Sequence, residues 1–263
     1  MIEAPEGAPP LEVGAQLAPG YEILAHLRRG RDLDVYDIWS IERDCRCIAK
    51  TLRPDRLRHP PARQRLLSEG RLLLELSHPH IVRAYACMVR PQPLVVLETL
   101  PGATLEYLLD EGRLSVEETA VLGLQLCSAL HYLHGRGVLH LDLKPSNIIS
   151  VCGLAKLLDL SIAQPPGPGR AGVGTRVYMA PEQRDGSLLS AATDVWGVGA
   201  VLFECLAGVR ALDEKLQAEG ARWRAVQESA PEPLGRAILA CLEPEPERRP
   251  SVAELRSILR GFV

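Results

Sequence analysis

The chain has 263 residues, 46% of them hydrophobic, enough to build a sizeable core in one large domain or two small lobes. Its net charge of −3 and pI near 6.2 come from interspersed charges, which argues against nucleic acid as a partner and against a polybasic membrane patch. Seven scattered cysteines contain no CxxC pair, and only Cys45 and Cys47 are close, so they read as reduced thiols rather than as disulfides or a zinc site.

In chain order, the opening MIEAPEGAPP has neither a basic start nor an apolar run and is not a signal peptide. Residues 1–20 carry four prolines and little periodicity, which predicts a flexible lead-in. From Tyr21 the runs YEILAHL, LDVYDIWS and RCIAKTL have the β-branched and aromatic character of strands and predict a three-stranded meander. The turn between the first two runs contains Gly30, which serves either as an ordinary turn residue or as part of a backbone cradle for phosphate. Strand alternation puts Ala49 and Lys50 on opposite faces. A lysine there is usually solvated, and it gains interest only if a carboxylate lies nearby.

Glu69 is a candidate for that carboxylate. The segment from Ala62 to Leu76 has near-helical apolar spacing at Leu66, Leu73 and Leu76, and Glu69 lies one turn before Leu73. On an apolar face Glu69 needs a cation partner; otherwise it is a surface glutamate. Two more strand-like runs, IVRAYACMV and PLVVLETL, lead to Leu100-Pro-Gly-Ala-Thr104, a hinge into helical sequence. The stripe Leu122, Leu126, Ala129, Leu130 and Leu133 predicts a long amphipathic helix within Ser115–Arg136, stopped by Gly137.

The next stretch, His140-Leu-Asp-Leu-Lys-Pro-Ser-Asn147, organises the rest. Asp142 is a candidate base for an attacking hydroxyl, Lys144 a cation for a moving phosphoryl group, and Asn147 an amide ligand for Mg²⁺. The alternative is a polar turn between buried strands. Short strand-like pieces follow at Ile148–Val151 and Ala155–Leu158 and end in Asp159-Leu-Ser161, where the carboxylate is a turn former or a second metal ligand. A Pro- and Gly-rich loop, Gln164–Gly174, shows no pattern, and residues 191–208, 233–242 and 251–260 read as helices. The longest apolar stretch, Val195 to Val209, carries Glu204 and is too short to span a bilayer, so the chain is expected to be soluble and cytoplasmic.

In this order and spacing, the residues from about Tyr21 to Leu259 resemble the eukaryotic-type protein kinases, and among them the bacterial Ser/Thr kinases. Ile48-Ala-Lys50 resembles the VAIK strand, with Glu69 as its helix partner. His140–Asn147 resembles the HRDxKxxN loop, Asp159-Leu-Ser161 the DFG motif and Ala180-Pro-Glu182 the APE motif. Asp194-Val-Trp196 with Gly199 is similar to DxWxxG, and Arg249 is placed like the arginine that pairs with the APE glutamate.

The resemblance implies an α+β, bilobal protein-kinase-like fold, with a β-rich N-lobe over 21–98 and a mostly helical C-lobe over 99–263. It also implies ATP and Mg²⁺ as cofactors and a protein substrate with Ser or Thr. Val35 and Ala49 would lie above the adenine and Ile149 below it, with hinge backbone at Glu98–Leu100. Lys50, fixed by Glu69, would hold phosphates; Asn147 and Asp159 would carry Mg²⁺; Asp142 would position the hydroxyl; and Lys144 would steady the γ-phosphoryl group. Lys144 and Thr175 match the Ser/Thr rather than the tyrosine pattern.

Arg28 and Leu33 stand where the family has glycine, Ser161 replaces the DFG glycine, and Leu141 replaces the HRD arginine. Those departures motivate a second reading, a pseudokinase acting as a nucleotide-binding or interaction module. A small-molecule phosphotransferase is a third, opposed by Lys144 and by the Gly174–Glu182 segment. Without the arginine, and with no Ser, Thr or Tyr between Ile162 and Gly174, activation is expected not to require a phosphate within that span.

Overall fold

The computed structural model describes residues 7–213, 216 and 220–263. The chain folds as two compact units, Met1–Pro101 and Gly102–Val263.

The first unit is built on a six-stranded antiparallel sheet. Its strands are β1 (Gln16–Ala18), β2 (Tyr21–Arg29), β3 (Leu33–Ser40), β4 (Cys45–Leu52), β5 (Ala84–Met88) and β6 (Leu94–Glu98), in the order β1-β2-β3-β4-β6-β5. Period-2 alternation sets the faces: Tyr36, Ile38, Cys47, Ala49 and Val96 pack together with no exposure, while Val35, Ile48 and Lys50 between them stay half-buried. Helix α1 (Pro60–Glu75) starts with prolines in its first turn, where the missing N–H costs nothing, and buries Leu66, Leu67, Glu69 and Leu73.

Residues 7–20, expected to be flexible, lie on this sheet instead; residues 1–6 of that lead-in fall outside the described residues. Leu17 and Ala18 are buried, and β1 pairs with β2. The Leu11 N–H donates to the Tyr36 hydroxyl over 2.9 Å, and Arg29 Nη1 donates to the Ala8 carbonyl over 2.7 Å. Beneath them Asp34, fully buried, accepts both arms of Arg29 at 2.8 Å and faces His26 Nε2 at 3.2 Å. Burial pushes the Asp34 carboxyl up, and its bonds to Arg29 and His26 outweigh that, holding it below its ordinary value.

The second unit is mostly helical. It contains β7 (Ala103–Thr104), α2 (Leu105–Glu111), α3 (Val116–His134), β8 (Ile148–Val151), β9 (Leu154–Leu157), β10 (Gly167–Pro168), α4 (Pro181–Asp185) and β11 (Leu188–Leu189), then α5 (Ala191–Ala207), α6 (Ala221–Gln227), α7 (Glu232–Cys241) and α8 (Val252–Leu259). Ser115 and Glu118 cap α3 reciprocally, and the predicted stripe Leu122, Leu126, Ala129, Leu130 and Leu133 is buried. Gly137 takes the left-handed turn that follows α3.

Helix α5 is apolar nearly all round and buried along most of its length. Two glycines let neighbours approach it: a Cβ at Gly197 would come 2.9 Å from Leu143 Cβ, and one at Gly199 would come 2.5 Å from Cys241 Cβ. Strands β7, β8 and β9 form a small sheet, and β10 pairs with β11. Among the described residues no helix is long and apolar enough to cross a membrane, and all seven cysteines are free.

Candidate active site

In the first unit, the Lys50 ammonium on β4 meets the Glu69 carboxylate on α1 at 2.6 Å; the glutamate side chain is fully buried and the lysine 13% exposed. A buried carboxylate with a partly exposed cation leaves the ammonium able to serve a second anion. Val35 and Lys50 are register partners on β3 and β4, on one face of the sheet.

In the second unit, the catalytic-loop candidates converge on one carboxylate. Asp142 Oδ2 accepts from Lys144 Nζ at 2.7 Å and from Asn147 Nδ2 at 3.0 Å; Asp142 Oδ1 accepts from the Thr175 hydroxyl at 2.8 Å and from its N–H at 3.1 Å. Lys144 Nζ also donates to Thr175 Oγ1 at 2.7 Å. Because the Asn147 amide nitrogen is committed to Asp142, its oxygen is the atom offered elsewhere. The Leu158 N–H donates to the Asn147 carbonyl at 3.0 Å, which seats Asp159 beside Asn147; the Ser161 N–H donates to Asp159 Oδ1 at 2.8 Å.

This loop is fixed from below by α5. Asp194 Oδ2 accepts the His140 N–H at 2.9 Å and lies 2.8 Å from His134 Nε2, and Asp194 Oδ1 accepts the Leu141 N–H at 2.8 Å. Leu141 needs this support, because its φ is +67°, a left-handed value costing a non-glycine residue about 1–3 kcal/mol. Gln183 Nε2 donates to its carbonyl at 2.8 Å. The Leu141 side chain is buried with Leu139 and Leu189, and Ile162 packs against them.

His140 is fully buried, and its Nδ1 accepts the Asp142 N–H at 3.2 Å. Burial lowers its pKa, and Asp194 and Asp142 offset only part of that, so the ring is neutral. Farther along, Arg249 binds Glu182 through two bonds of 2.7 and 2.9 Å. It spends its remaining donors on the carbonyls of Glu243, Ala192 and Pro244, with its guanidinium over Trp196.

The family model described as Protein kinase domain matches residues 21–258. The chain belongs to the protein kinase domain family. It is 34% identical over 221 residues to the serine/threonine-protein kinase PkaA of Streptomyces coelicolor, covering 74% of this chain and 39% of that protein. It is 31% identical over 203 residues to the serine/threonine-protein kinase PknB of Mycobacterium tuberculosis, covering 72% and 31%. It is also 39% identical over 158 residues to the serine/threonine-protein kinase RUNKEL of Arabidopsis thaliana, covering 56% and 11%. The chain thus spans well under half the length of these curated relatives. The β-rich first unit and helical second unit are the α+β make-up of the bilobal kinase fold.

With the family fixed, the expected residues can be located. The structure joins Lys50 to Glu69, and brings together Asp142, Lys144, Asn147 and Thr175, with Asp159 adjacent. Gly30 sits exposed at the β2–β3 turn, whereas Glu98 and Leu100 are half-buried at the end of the first unit and Ile149 is half-buried on β8.

Ala49 is corrected. It lies opposite Tyr36, fully buried in the core, on the face away from Lys50 and Val35, and cannot touch a ligand on their side. Two residues before Lys50 in a strand is Ile48, which shares the Lys50 face and was missed, although the alternation that reveals it was legible. Ser161 is not among the residues with positive φ, so the serine in the DFG-like motif carries no left-handed strain.

Proposed function

We propose that this chain is an ATP- and Mg²⁺-dependent protein kinase that transfers the γ-phosphoryl group to a serine or threonine hydroxyl of a protein. The observation that carries this reading is the Asp142 carboxylate, gripped by Lys144, Asn147 and Thr175, an arrangement that orients a base and places a cation beside it. Asp142 would accept a hydrogen bond from the substrate hydroxyl and hold its proton; Lys144 would neutralise charge on the moving group.

The neighbouring Asn147 amide oxygen and Asp159 carboxylate are hard oxygen donors that suit Mg²⁺, which when bound neutralises phosphate charge. Lys50, oriented by Glu69, would hold phosphate oxygens, with Val35 and Ile48 on the same face of the first unit against the adenine. Backbone at Glu98–Leu100 would hydrogen-bond its edge.

Activation without a phosphate between Ile162 and Gly174 belongs to this reading. In place of a cation awaiting an anion, Leu141 sits in an apolar cluster with Leu139, Leu189 and Ile162. The segment is tied by the pairing of Gly167 and Pro168 with Leu189 and Leu188, and by the bridge of Leu139 with Gln164. Those contacts order the segment without added charge.

The single glycine at the β2–β3 turn favours a second reading, an interaction module with weak nucleotide affinity. Incubation with labelled Mg-ATP and a generic basic protein, followed by mass spectrometry, separates the two. Phosphate on Ser or Thr is expected; none, from a folded sample that binds ATP weakly or not at all, would favour the second.

A further inference from the structure

The turn joining β2 to β3 is three residues, Gly30, Arg31 and Asp32, closed by the Gly30 N–H donating to the Leu33 carbonyl at 2.7 Å. It is flanked by Arg28 and Leu33 where the family has glycine, so little of its placement can come from glycine's freedom. The segment that follows β4 holds it instead, through one backbone bond and the Arg53 side chain. The Arg53 N–H donates to the Asp32 carbonyl at 3.0 Å, and Arg53 Nη1 reaches the carbonyls of Arg31 at 3.1 Å and Gly30 at 3.4 Å. Arg53 is in turn fixed by two bonds to Asp55, at 3.0 and 2.8 Å, with the Asp55 side chain 2% exposed.

The third tie comes from α1. Arg65 Nη2 donates to Asp32 Oδ2 at 2.6 Å. Arg65 stands one helical turn before Glu69, the partner of Lys50, so the two residues project from neighbouring positions on the same helix. A shift of α1 that parts Glu69 from Lys50 therefore also pulls on the hairpin tip.

We propose that Asp32, bound by Arg65 and supported by Arg53, is a positioning residue that sets the β2–β3 hairpin for the phosphates of ATP and couples that setting to α1. This inference rests on the nucleotide reading above. It assigns to side chains the placement that glycine-rich backbones achieve by close approach.

The test uses the full chain with Asp32→Asn, Arg65→Ala and the charge exchange Asp32→Arg with Arg65→Glu. Hydrogen exchange of the peptide spanning residues 28–35, without nucleotide, should quicken in both single variants and return towards wild type in the exchange variant. The pair is partly exposed, so the KM and Kd for ATP should rise about twofold to fivefold, more than kcat falls, as for a loss of up to ~1 kcal/mol. Unchanged exchange would overturn the proposal, as would faster exchange with unchanged KM and Kd. If the wild type shows no transfer, the kinase reading fails by itself. The proposal is then decided by exchange and by calorimetric Kd for ATP, where no difference between wild type and variants overturns it.

Discussion

The Thr175 hydroxyl donates to Asp142 Oδ1 over 2.8 Å while accepting from Lys144 Nζ over 2.7 Å. One side chain thus joins the residue after Gly174 to both Asp142 and Lys144, the proposed base and cation. Its hydrogen bonds involve charged partners, and such bonds contribute about 1.5–3 kcal/mol each. Thr175→Ala should therefore lower kcat by about tenfold to a hundredfold, whereas Thr175→Ser, which keeps the hydroxyl, should stay near wild type. Steady-state kinetics with a peptide substrate checks both. A phosphate on Thr175 would set a dianion against Asp142, so a phosphorylated fraction isolated by affinity chromatography should be less active than the unmodified protein.

Tyr178 offers a contrasting hydroxyl. It is buried and donates to Glu204 on α5 at 2.6 Å. Burial and the Glu204 bond push its pKa up, so it is a held, neutral group rather than an accessible acceptor. Mass spectrometry of protein incubated with Mg-ATP should find no phosphate on Tyr178.

The Leu141 cluster bears on order in the segment that follows. Leu141→Ala removes a buried side chain from contact with Leu139 and Leu189 and should cost about 2–5 kcal/mol. The loss should appear as a lower Tm and as faster hydrogen exchange over residues 163–170 and 187–190. Leu141→Arg, which restores the family's cation, should be no better, because it introduces a charge into that cluster.

Glu182 and Arg249 form a buried pair in which the guanidinium also satisfies three carbonyls. Removing either partner leaves the other charge uncompensated, at about 3–5 kcal/mol. Arg249→Ala and Glu182→Ala should both unfold at lower denaturant concentration, with transfer per folded molecule falling less than the yield of folded protein.

Acid should act in two windows. The pKa of His140 is lowered by burial from its ordinary 6.5, so below pH 6.5 the unfolded chain takes up a proton that the folded chain refuses, and stability falls as pH drops towards the folded value. Burial pushes the Glu182 carboxyl up, but Arg249 outweighs it and holds it below 4.5, so that contribution is present above pH 4.5 and disappears only at more acid pH. His140→Asn keeps an acceptor for the Asp142 N–H and removes the titration. Urea unfolding between pH 7 and 5 should show a flatter dependence in this variant.

Much of the fold was legible because its elements carry their signal locally. The strand runs became β2, β3 and β4, the leucine stripe became α3 with Ser115 at its cap, and the closely spaced Asp142, Lys144 and Asn147 are joined by hydrogen bonds. Residues 7–20 were misread because what holds them is distant in sequence: the Tyr36 hydroxyl, the Arg29 guanidinium and the Gln92 amide on the Leu17 carbonyl. The Gln164–Gly174 loop has no periodicity, and its order comes from pairing with Leu188–Leu189 and from the Gln183 carbonyl accepting the Gly172 N–H. Ala49 failed for a different reason. The alternation already placed it away from Lys50, and the residue two before the lysine, Ile48, is the one that shares the lysine's face.

The decisive measurement compares the wild type with Asp142→Asn in a single preparation. Phosphoryl transfer to protein Ser or Thr is followed by mass spectrometry, and ATP affinity by calorimetry. The substitution keeps the shape and one of the two acceptor oxygens but removes the charge that orients the hydroxyl and holds its proton. Transfer should fall to near background while the Kd for Mg-ATP stays within about threefold of wild type, a change below ~1 kcal/mol. Equal transfer by the two proteins, or none by a well-folded wild type, would contradict the assignment of Asp142 as the residue on which catalysis turns.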